Sequence, residues 1–161
     1  MQVDTIFEDD DLLVLNKPSG ITVNTSDTTT GEETLQNVVE QYLGLPPYVR
    51  QKTVHVAGEE KQYKTPEEDF VDRAGIVHRL DKETSGVILV AKKAEAFKKL
   101  QAQFKERNVE KTYIALAHGE VSPAMGEINA PVGRLPWNRT RFGVLSGGRE
   151  AVTLYETKQK Y

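Results

Sequence analysis

The sequence contains no cysteine and only three histidines, which lie far apart along its 161 residues. Disulfide scaffolds and cysteine-based zinc sites are therefore excluded, and nothing indicates an oxidising compartment. No apolar run approaches the roughly 20 residues that a membrane helix needs. The first segment, MQVDTIFEDDDLL, is acidic, whereas a signal peptide begins with basic residues. We expect a soluble, cytoplasmic protein without membrane contact.

Internal repeats and low-complexity segments are also missing, and the length suits one domain with a core of its own. The net charge of −3 is unevenly distributed along the chain. Residues 1–77 carry 6 basic and 15 acidic side chains (−9), whereas residues 78–161 carry 15 and 9 (+6). Binding of a polyanion depends on the local field, so RNA or DNA stays open as a partner. A basic run alone is more typical of a solvated helix face.

Hydrophobic periodicity predicts mixed α and β structure. DLLVLNKPSG is predicted to be a short strand that enters a turn at Pro18 and Gly20. TTTGEETLQNVVEQYLGLPP is predicted to be a helix that stops at Gly44 and Pro46. One face of this helix should carry Leu35, Val38, Val39 and Tyr42.

The second half continues the alternation of strands and helices. GVILVAKK predicts a strand, residues 94–108 an amphipathic helix, and KTYIALAHGEV another strand. The inward positions of this helix are Phe97, Leu100 and Phe104. The remaining segment has short strands broken by glycine and proline, and between them lie Arg134, Arg139, Arg141 and Arg149. Residues 48–72 are polar and poor in large apolar groups, which predicts a long loop or mobile insertion.

The segment GIVHRLDKETSGVILVAKK, residues 75–93, places seven polar side chains directly before a strand that should be buried. An ordinary turn would explain one or two of them. HRLDKETSG, followed about twenty residues later by EKTYIALAHG, resembles the motifs of the RluA-type pseudouridine synthases. LLVLNKPSGITV and GGREAVTLYE resemble further motifs of that family, in family order. The resemblance covers nearly the whole chain apart from the polar insertion.

The resemblance implies a fold and an activity. The fold would be the α+β catalytic domain of these enzymes over residues 1–161, with a mixed, mainly antiparallel sheet flanked by helices. The activity would be isomerisation of uridine to pseudouridine in structured ribosomal or transfer RNA. The N-glycosidic bond breaks, the uracil turns, and a carbon–carbon bond to the ribose forms. No cofactor or metal is expected.

The resemblance also assigns roles to individual residues. Asp81 matches the catalytic aspartate, which attacks the sugar or stabilises its charge. Arg79 would fill the space left by a flipped base and contact RNA. Tyr113 matches the active-site tyrosine that stacks on the uracil. His78, Thr84 and Ser85 belong to the same motif and are candidate substrate-binding residues, although residues of these types more commonly hold a loop by local hydrogen bonds. Lys17 and Pro18 are expected to be structural.

One departure from the family pattern concerns the C-terminus. The family continues into a further strand and a GR-x-HQIR-type motif whose arginine pairs with the catalytic aspartate, and the given sequence has no such motif. We therefore expect a catalytic domain that lacks its C-terminal strands. Little activity is expected from the 161 residues by themselves. An open sheet edge would favour self-association, while the oligomeric state itself is not predicted.

Three alternatives remain open. The chain could be a non-catalytic RNA-binding fragment that retains Arg79, Tyr113 and the basic helix. It could be a glycoside hydrolase with Asp81 and Glu83 as its carboxylate pair, although aromatic sugar platforms are missing. It could also be a plain α+β structural domain, which would make four ordered motif matches a coincidence.

Overall fold

The computed structural model describes residues 2–26, 29, 31–47 and 65–160. Residues 48–64, which make up most of the predicted polar loop, lie outside this described part. The chain divides into two compact units, Met1–Lys111 and Thr112–Tyr161. The expectation that residues 1–161 form one catalytic domain stays a prediction.

A three-stranded antiparallel sheet is the centre of the first unit. Its strands are β1 (Asp4–Glu8), β2 (Leu12–Lys17) and β3 (Gly86–Ala91), in the order β1-β2-β3. The tight connection from β1 to β2 forms because the Asp9 carboxylate accepts the backbone N–H groups of Asp11 and Leu12 at 2.8 and 2.7 Å. Alternate residues of β2 point into the core, so Leu13, Leu15 and Lys17 are buried. The predicted strands of DLLVLNKPSG and GVILVAKK are confirmed.

Helix α1 (Leu35–Leu43) packs on this sheet through Leu35 and Val39. Thr34 and Asn37 form a capping box at its start, and Gly44 ends it in the left-handed conformation with φ 65°. The predicted helix and its stop are therefore confirmed. Tyr42 lines one cavity together with Val38 and Val39, as expected for residues on a shared face. Its side chain is largely exposed, and its hydroxyl donates a 2.6 Å hydrogen bond to Glu8.

Two further helices form a smaller core beside the sheet. Helix α2 (Pro66–Asp72) and helix α3 (Ala94–Lys105) meet where Phe70 and Phe97 pack edge to face, with ring centroids 5.8 Å apart. Leu100 and Phe104 are partly buried against the same cluster. The predicted inward face of α3 is confirmed, and the helix ends three residues before the predicted Asn108.

Helix α2 differs from the prediction of a loop through residue 72. Thr65 and Glu68 form a reciprocal capping box, Pro66 occupies the first turn, and three acidic residues favour the positive end of the helix dipole. The average polarity of residues 48–72 concealed these local start signals. Phe70 anchors the helix in the core.

The second unit contains two antiparallel pairs. Strand β4 (Met125–Asn129) pairs with β7 (Val152–Glu156), and β5 (Val132–Leu135) pairs with β6 (Asn138–Val144). The prediction of short strands broken by glycine and proline is confirmed. The described chain is thus an α+β structure with antiparallel sheets, as expected.

The strand predicted for KTYIALAHGEV is wrong. Residues 111–121 contain no helix or strand, and Ile114 and Leu116 are 100% and 88% exposed. An alternating apolar segment becomes a strand only when a neighbouring strand pairs with its backbone groups. No strand among the described residues pairs with this one.

Candidate active site

The candidate site is the turn between the end of α2 and the start of β3. Ile76 forms an isolated antiparallel bridge with Val90, after which residues 77–81 have no regular secondary structure. Leu80 is buried in the main core, whereas its neighbours Arg79 and Asp81 are exposed. The turn is thus anchored through Leu80, while Arg79 and Asp81 on either side of it face solvent. A 3.1 Å hydrogen bond from the Thr84 N–H to the Asp81 carbonyl then closes the turn.

The side chain of Lys17 connects this turn to the turn after β2. Its side chain is 0% exposed, and its ammonium donates to the carbonyls of Pro18, Ile21 and Lys82 at 2.9, 2.9 and 3.0 Å. All three N–H donors of the ammonium therefore have acceptors. Burial lowers the pKa of Lys17, while the negative charges of Glu83 and Asp81 act in the opposite direction. The buried cation thus attracts both carboxylates of the turn.

Two more contacts join the end of β2 to the same turn. The Gly20 N–H donates to the Lys82 carbonyl at 2.8 Å, and the Ser19 hydroxyl donates to the Glu83 carbonyl at 2.8 Å. At the rim, the Lys82 ammonium lies 3.2 Å from a carboxylate oxygen of Glu32. The turn that bears Asp81 is therefore fastened to the turn after β2 by three donors, which converge on the successive carbonyls of Lys82 and Glu83.

His78 lies beside the site and contacts both β3 and α3. Its Nε2 accepts the Leu89 N–H at 3.0 Å, and its ring stacks on Phe104 with centroids 4.7 Å apart and planes 19° apart. Burial, and to a lesser extent the charge of Lys111, lowers the pKa of His78. An accepting Nε2 and a lowered pKa both favour the neutral imidazole. His78 thus links β3 to α3, with its Nε2 bonded to the strand and the face of its ring packed on the helix.

The predicted site residues differ in their placement. Arg79, Asp81 and Ser85 are exposed on one turn, Thr84 is partly buried in it, and His78 lies behind it against α3. Tyr113 belongs to the second unit, and its side chain is 60% exposed. Among the described residues there is no group of three or more His, Cys, Asp or Glu side chains that could hold a metal ion. None of the helices in the described part of the chain is long and apolar enough to cross a bilayer.

The comparisons with known proteins identify the family of the chain. A family model described as RNA pseudouridylate synthase matches residues 11–161, which include both turns and all the predicted site residues. The chain belongs to this family. The resemblance to RluA-type pseudouridine synthases is thereby confirmed.

Relatives in the family are similar over the entire chain. A ribosomal large subunit pseudouridine synthase D of Neisseria meningitidis is 39% identical over 163 residues, which span 100% of this chain and 37% of that protein. An RNA pseudouridine synthase of Aquifex aeolicus is 37% identical, over 99% of this chain and 44% of that protein. The chain therefore covers less than half of the length of these two pseudouridine synthases.

Solved structures support the fold. Human RNA pseudouridylate synthase domain containing 1 aligns with a TM-score of 0.58 at 21% identity, over 95% of this chain and 49% of that chain. Human RNA pseudouridylate synthase domain containing 4 aligns with a TM-score of 0.51 at 18% identity. The α+β architecture is thus that of pseudouridylate synthase domains.

Sequence reasoning had described Lys17 as structural without saying what it holds, and it did not connect Ser19 and Gly20 to the turn of Asp81. One signal was available, since Lys17 is an inward position of a strand whose other buried positions are Leu13 and Leu15. A lysine at such a position must find acceptors for its ammonium, and the turn directly after the strand supplies backbone carbonyls. The third acceptor, Lys82, lies 65 residues away in sequence and could not be identified from the pattern.

Proposed function

We propose that this chain provides the catalytic turn of an enzyme that isomerises uridine to pseudouridine in structured RNA, with ribosomal RNA as the first candidate substrate. The observation that carries the proposal is the family match over residues 11–161 combined with an exposed Asp81 on a turn that buried Lys17 holds in place. Ribosomal RNA is favoured because the Neisseria relative is named a ribosomal large subunit enzyme.

Asp81 is the proposed catalytic carboxylate. It attacks the sugar, or stabilises positive charge there, while the glycosidic bond breaks and the uracil turns. The side chain is exposed to substrate, and the buried ammonium of Lys17 attracts its negative charge. Tyr113 is proposed to stack on the uracil, a role for which its exposed ring is available.

The test replaces Asp81 by asparagine in the longest form of the protein that its gene encodes. Asp81→Asn should lower pseudouridine formation at least about a hundredfold, as expected for loss of one charge-stabilising group, and by more if the carboxylate attacks covalently. Pseudouridine is counted by mass spectrometry of nucleosides after incubation with ribosomal RNA.

Glu83→Gln is the matched control. Glu83 is an exposed carboxylate two residues away, so the variant removes the same charge from the same turn. It should keep turnover within about threefold of the unmodified protein, the usual range for a surface substitution. RNA affinity should be retained in both variants. Near-normal turnover by Asp81→Asn would contradict the catalytic role, and equal losses in both variants would point to a carboxylate pair instead.

Arg79 is proposed to occupy the stack after the uridine has left it. The side chain is exposed next to Asp81, and a guanidinium can both stack on bases and bind phosphate. Arg79→Lys retains the charge and removes the planar group. Its turnover should fall at least about tenfold on a uridine in a paired stem, where extrusion costs most, and less on the same uridine in an unpaired bulge. Equal losses on the two RNAs would argue against a role in extrusion.

A further inference from the structure

Helix α1 buries two polar side chains beside its apolar core residues. Gln36 and Glu40 are only 2% and 4% exposed, although glutamine and glutamate usually lie at the surface of a protein. They are four residues apart and therefore neighbours on the helix, where the Gln36 Nε2 donates to the Glu40 Oε1 at 2.8 Å. Polar groups at this depth need further partners from the elements packed around them.

The side-chain amide of Gln36 makes every hydrogen bond that a glutamine side chain can make. Its Oε1 accepts the Thr25 N–H at 3.2 Å and the Asn24 side-chain amide at 3.4 Å. Its Nε2 donates to Glu40 and to the backbone carbonyl of Asp72 at 2.8 and 2.9 Å. Because two donors face the oxygen and two acceptors face the nitrogen, neither a carboxylate nor an apolar side chain could make all four contacts.

The bond from Gln36 to Asp72 secures the C-terminal end of α2. The last four carbonyls of an α-helix have no amide partner within the helix. In α2, three of the four accept amides of the residues that follow the helix, and these three belong to Asp69, Phe70 and Val71. The fourth, the carbonyl of Asp72, accepts the Gln36 side chain. Gln36 therefore holds the end of the helix from which the chain continues, through Gly75, to Asp81.

The other side of the amide holds the segment that follows the turn after β2. Residues 22–25 lie against the start of α1, where the Val23 carbonyl also accepts the backbone N–H of Gln36 at 2.9 Å. This segment continues directly from the turn whose Gly20 N–H donates to the Lys82 carbonyl. One side chain thus contacts both the segment that leads into the proposed catalytic turn and the segment that supports this turn from β2.

From these contacts we propose that Gln36 is a positioning residue, which fixes the placement of Asp81 by holding the end of α2 against the segment after β2. The inference rests on the proposed function, because it concerns the carboxylate of the same reaction. The Gln36 side chain is buried and out of reach of RNA, so its loss should impair the chemical step rather than substrate binding. A displacement of a reacting group by about 1 Å can lower a rate about 100-fold.

The experiment measures kcat and KM on ribosomal RNA with the longest form of the protein that its gene encodes. Gln36→Glu keeps the size of the side chain and its acceptor oxygen but cannot donate to the Asp72 carbonyl. Its kcat should fall about 10- to 100-fold, because Asp81 is displaced, while KM stays nearly unchanged. All variants are compared at a temperature at which circular dichroism shows them to be folded.

Val39→Ala is the matched control for a loss of stability. It shortens a buried apolar side chain of the same helix and leaves the four hydrogen bonds of Gln36 in place. The variant should unfold at a lower temperature, because a cavity is created in the core, and should keep the kcat of the unmodified protein. Equal losses of kcat in Val39→Ala and Gln36→Glu would overturn the positioning role.

A double variant separates the two acceptors of the Gln36 nitrogen. Gln36→Glu places two carboxylates side by side, and adding Glu40→Gln removes this repulsion and restores a hydrogen bond between the two side chains. The Asp72 carbonyl still receives no N–H from position 36. The double variant should therefore keep a low kcat, whereas Glu40→Gln alone should turn over like the unmodified protein. Equal kcat values for the double variant and Glu40→Gln would overturn the proposal, because the contact with Asp72 would then be dispensable.

An NMR measurement separates this inference from the proposed function. The backbone amide signals of residues 78–84 should shift in Gln36→Glu and stay in place in Val39→Ala, whichever reaction the protein performs. Such shifts, in a protein whose Asp81→Asn variant keeps its turnover, would leave the placement of the turn by Gln36 standing and overturn the proposed reaction. Turnover that depends on Asp81, with Gln36→Glu equal to Val39→Ala in kcat and in these signals, would overturn the positioning role alone.

Discussion

Lys17 shows how one buried charge can hold two turns together. The ammonium is removed from water, which is unfavourable, and three backbone carbonyls compensate for its lost hydration. Among the described residues no buried side-chain nitrogen or oxygen lacks a hydrogen-bond partner. The arrangement is specific to an ammonium, because its three donors match three acceptors that come from two turns.

Replacing this lysine should therefore destabilise the protein although a charge leaves the core. Lys17→Met keeps the length of the side chain but removes the ammonium donor from three carbonyls. The Lys82 carbonyl retains the Gly20 N–H, whereas the carbonyls of Pro18 and Ile21 lose this donor, at about 1–3 kcal/mol for each group left unsatisfied. Removing a charge from the core is favourable and offsets part of this loss. We therefore expect the free energy of unfolding, measured in urea, to fall by about 2–4 kcal/mol. Lys82→Met, which breaks an exposed ion pair with Glu32, should cost less than about 1 kcal/mol. Equal costs for the two variants would contradict the role of the three carbonyls.

The connection from α2 to β3 depends on Gly75. This residue has φ 72°, donates its N–H to the Phe70 carbonyl at 2.9 Å, and accepts the Ala91 N–H at 2.9 Å. A Cβ at this position would lie 2.1 Å from the Ala91 carbonyl oxygen, which is backbone of β3. The segment that leads to Asp81 can therefore approach β3 only because residue 75 has no side chain.

Gly75→Ala should consequently unfold the first unit or weaken it severely. We expect a loss of at least about 3 kcal/mol in thermal or urea unfolding, because backbone atoms must move to admit the methyl group. Gly20→Ala is the matched control, since Gly20 also has a positive φ of 85° but no atom lies within 4 Å of its added Cβ. Gly20→Ala should lower the free energy of unfolding by about 1–2 kcal/mol, from backbone strain alone. Similar losses in both variants would show that the close approach at Ala91 is unimportant.

The elements that sequence reasoning predicted well are those whose signals are local and paired within the first unit. β2 and β3 are apolar strands that pair with each other, and α1 has an apolar face between a threonine cap and Gly44. Helix α2 was missed although its capping box and Pro66 were visible, because composition was averaged over 25 residues that included residues 48–64. The strand at residues 111–121 was predicted from alternation alone, and alternation does not show whether a partner strand is present.

At the scale of the whole molecule, the charge boundary and the structural boundary do not coincide. The sign of the charge changes near residue 78, whereas the two compact units meet at Lys111 and Thr112. The first unit contains both the acidic N-terminal segment and the lysines of α3, for a net charge of −5, and the second unit has a net charge of +2. A charge count along the sequence therefore indicates a basic second half, whereas the basic residues belong to both structural units.

The candidate site was likewise predictable in part. The motif HRLDKETSG identified the turn and the exposed positions of Arg79 and Asp81. Which residues hold the turn depends on contacts over 64 or 65 positions, from Lys17 and Ser19 to the motif, and such pairings follow from the fold rather than from local pattern. The placement of Tyr113 in the second unit also follows from the division into units.

The hydrogen bond from the Gly20 amide to the Lys82 carbonyl has a consequence for the dynamics of the site. Gly20 lies in an exposed turn, where a backbone amide would ordinarily exchange its hydrogen with water quickly. Here the amide is held at 2.8 Å by the turn that bears Asp81, so it can exchange only when the two turns separate. The exchange rate of this single amide should therefore report how often the turn that bears Asp81 separates from the turn after β2.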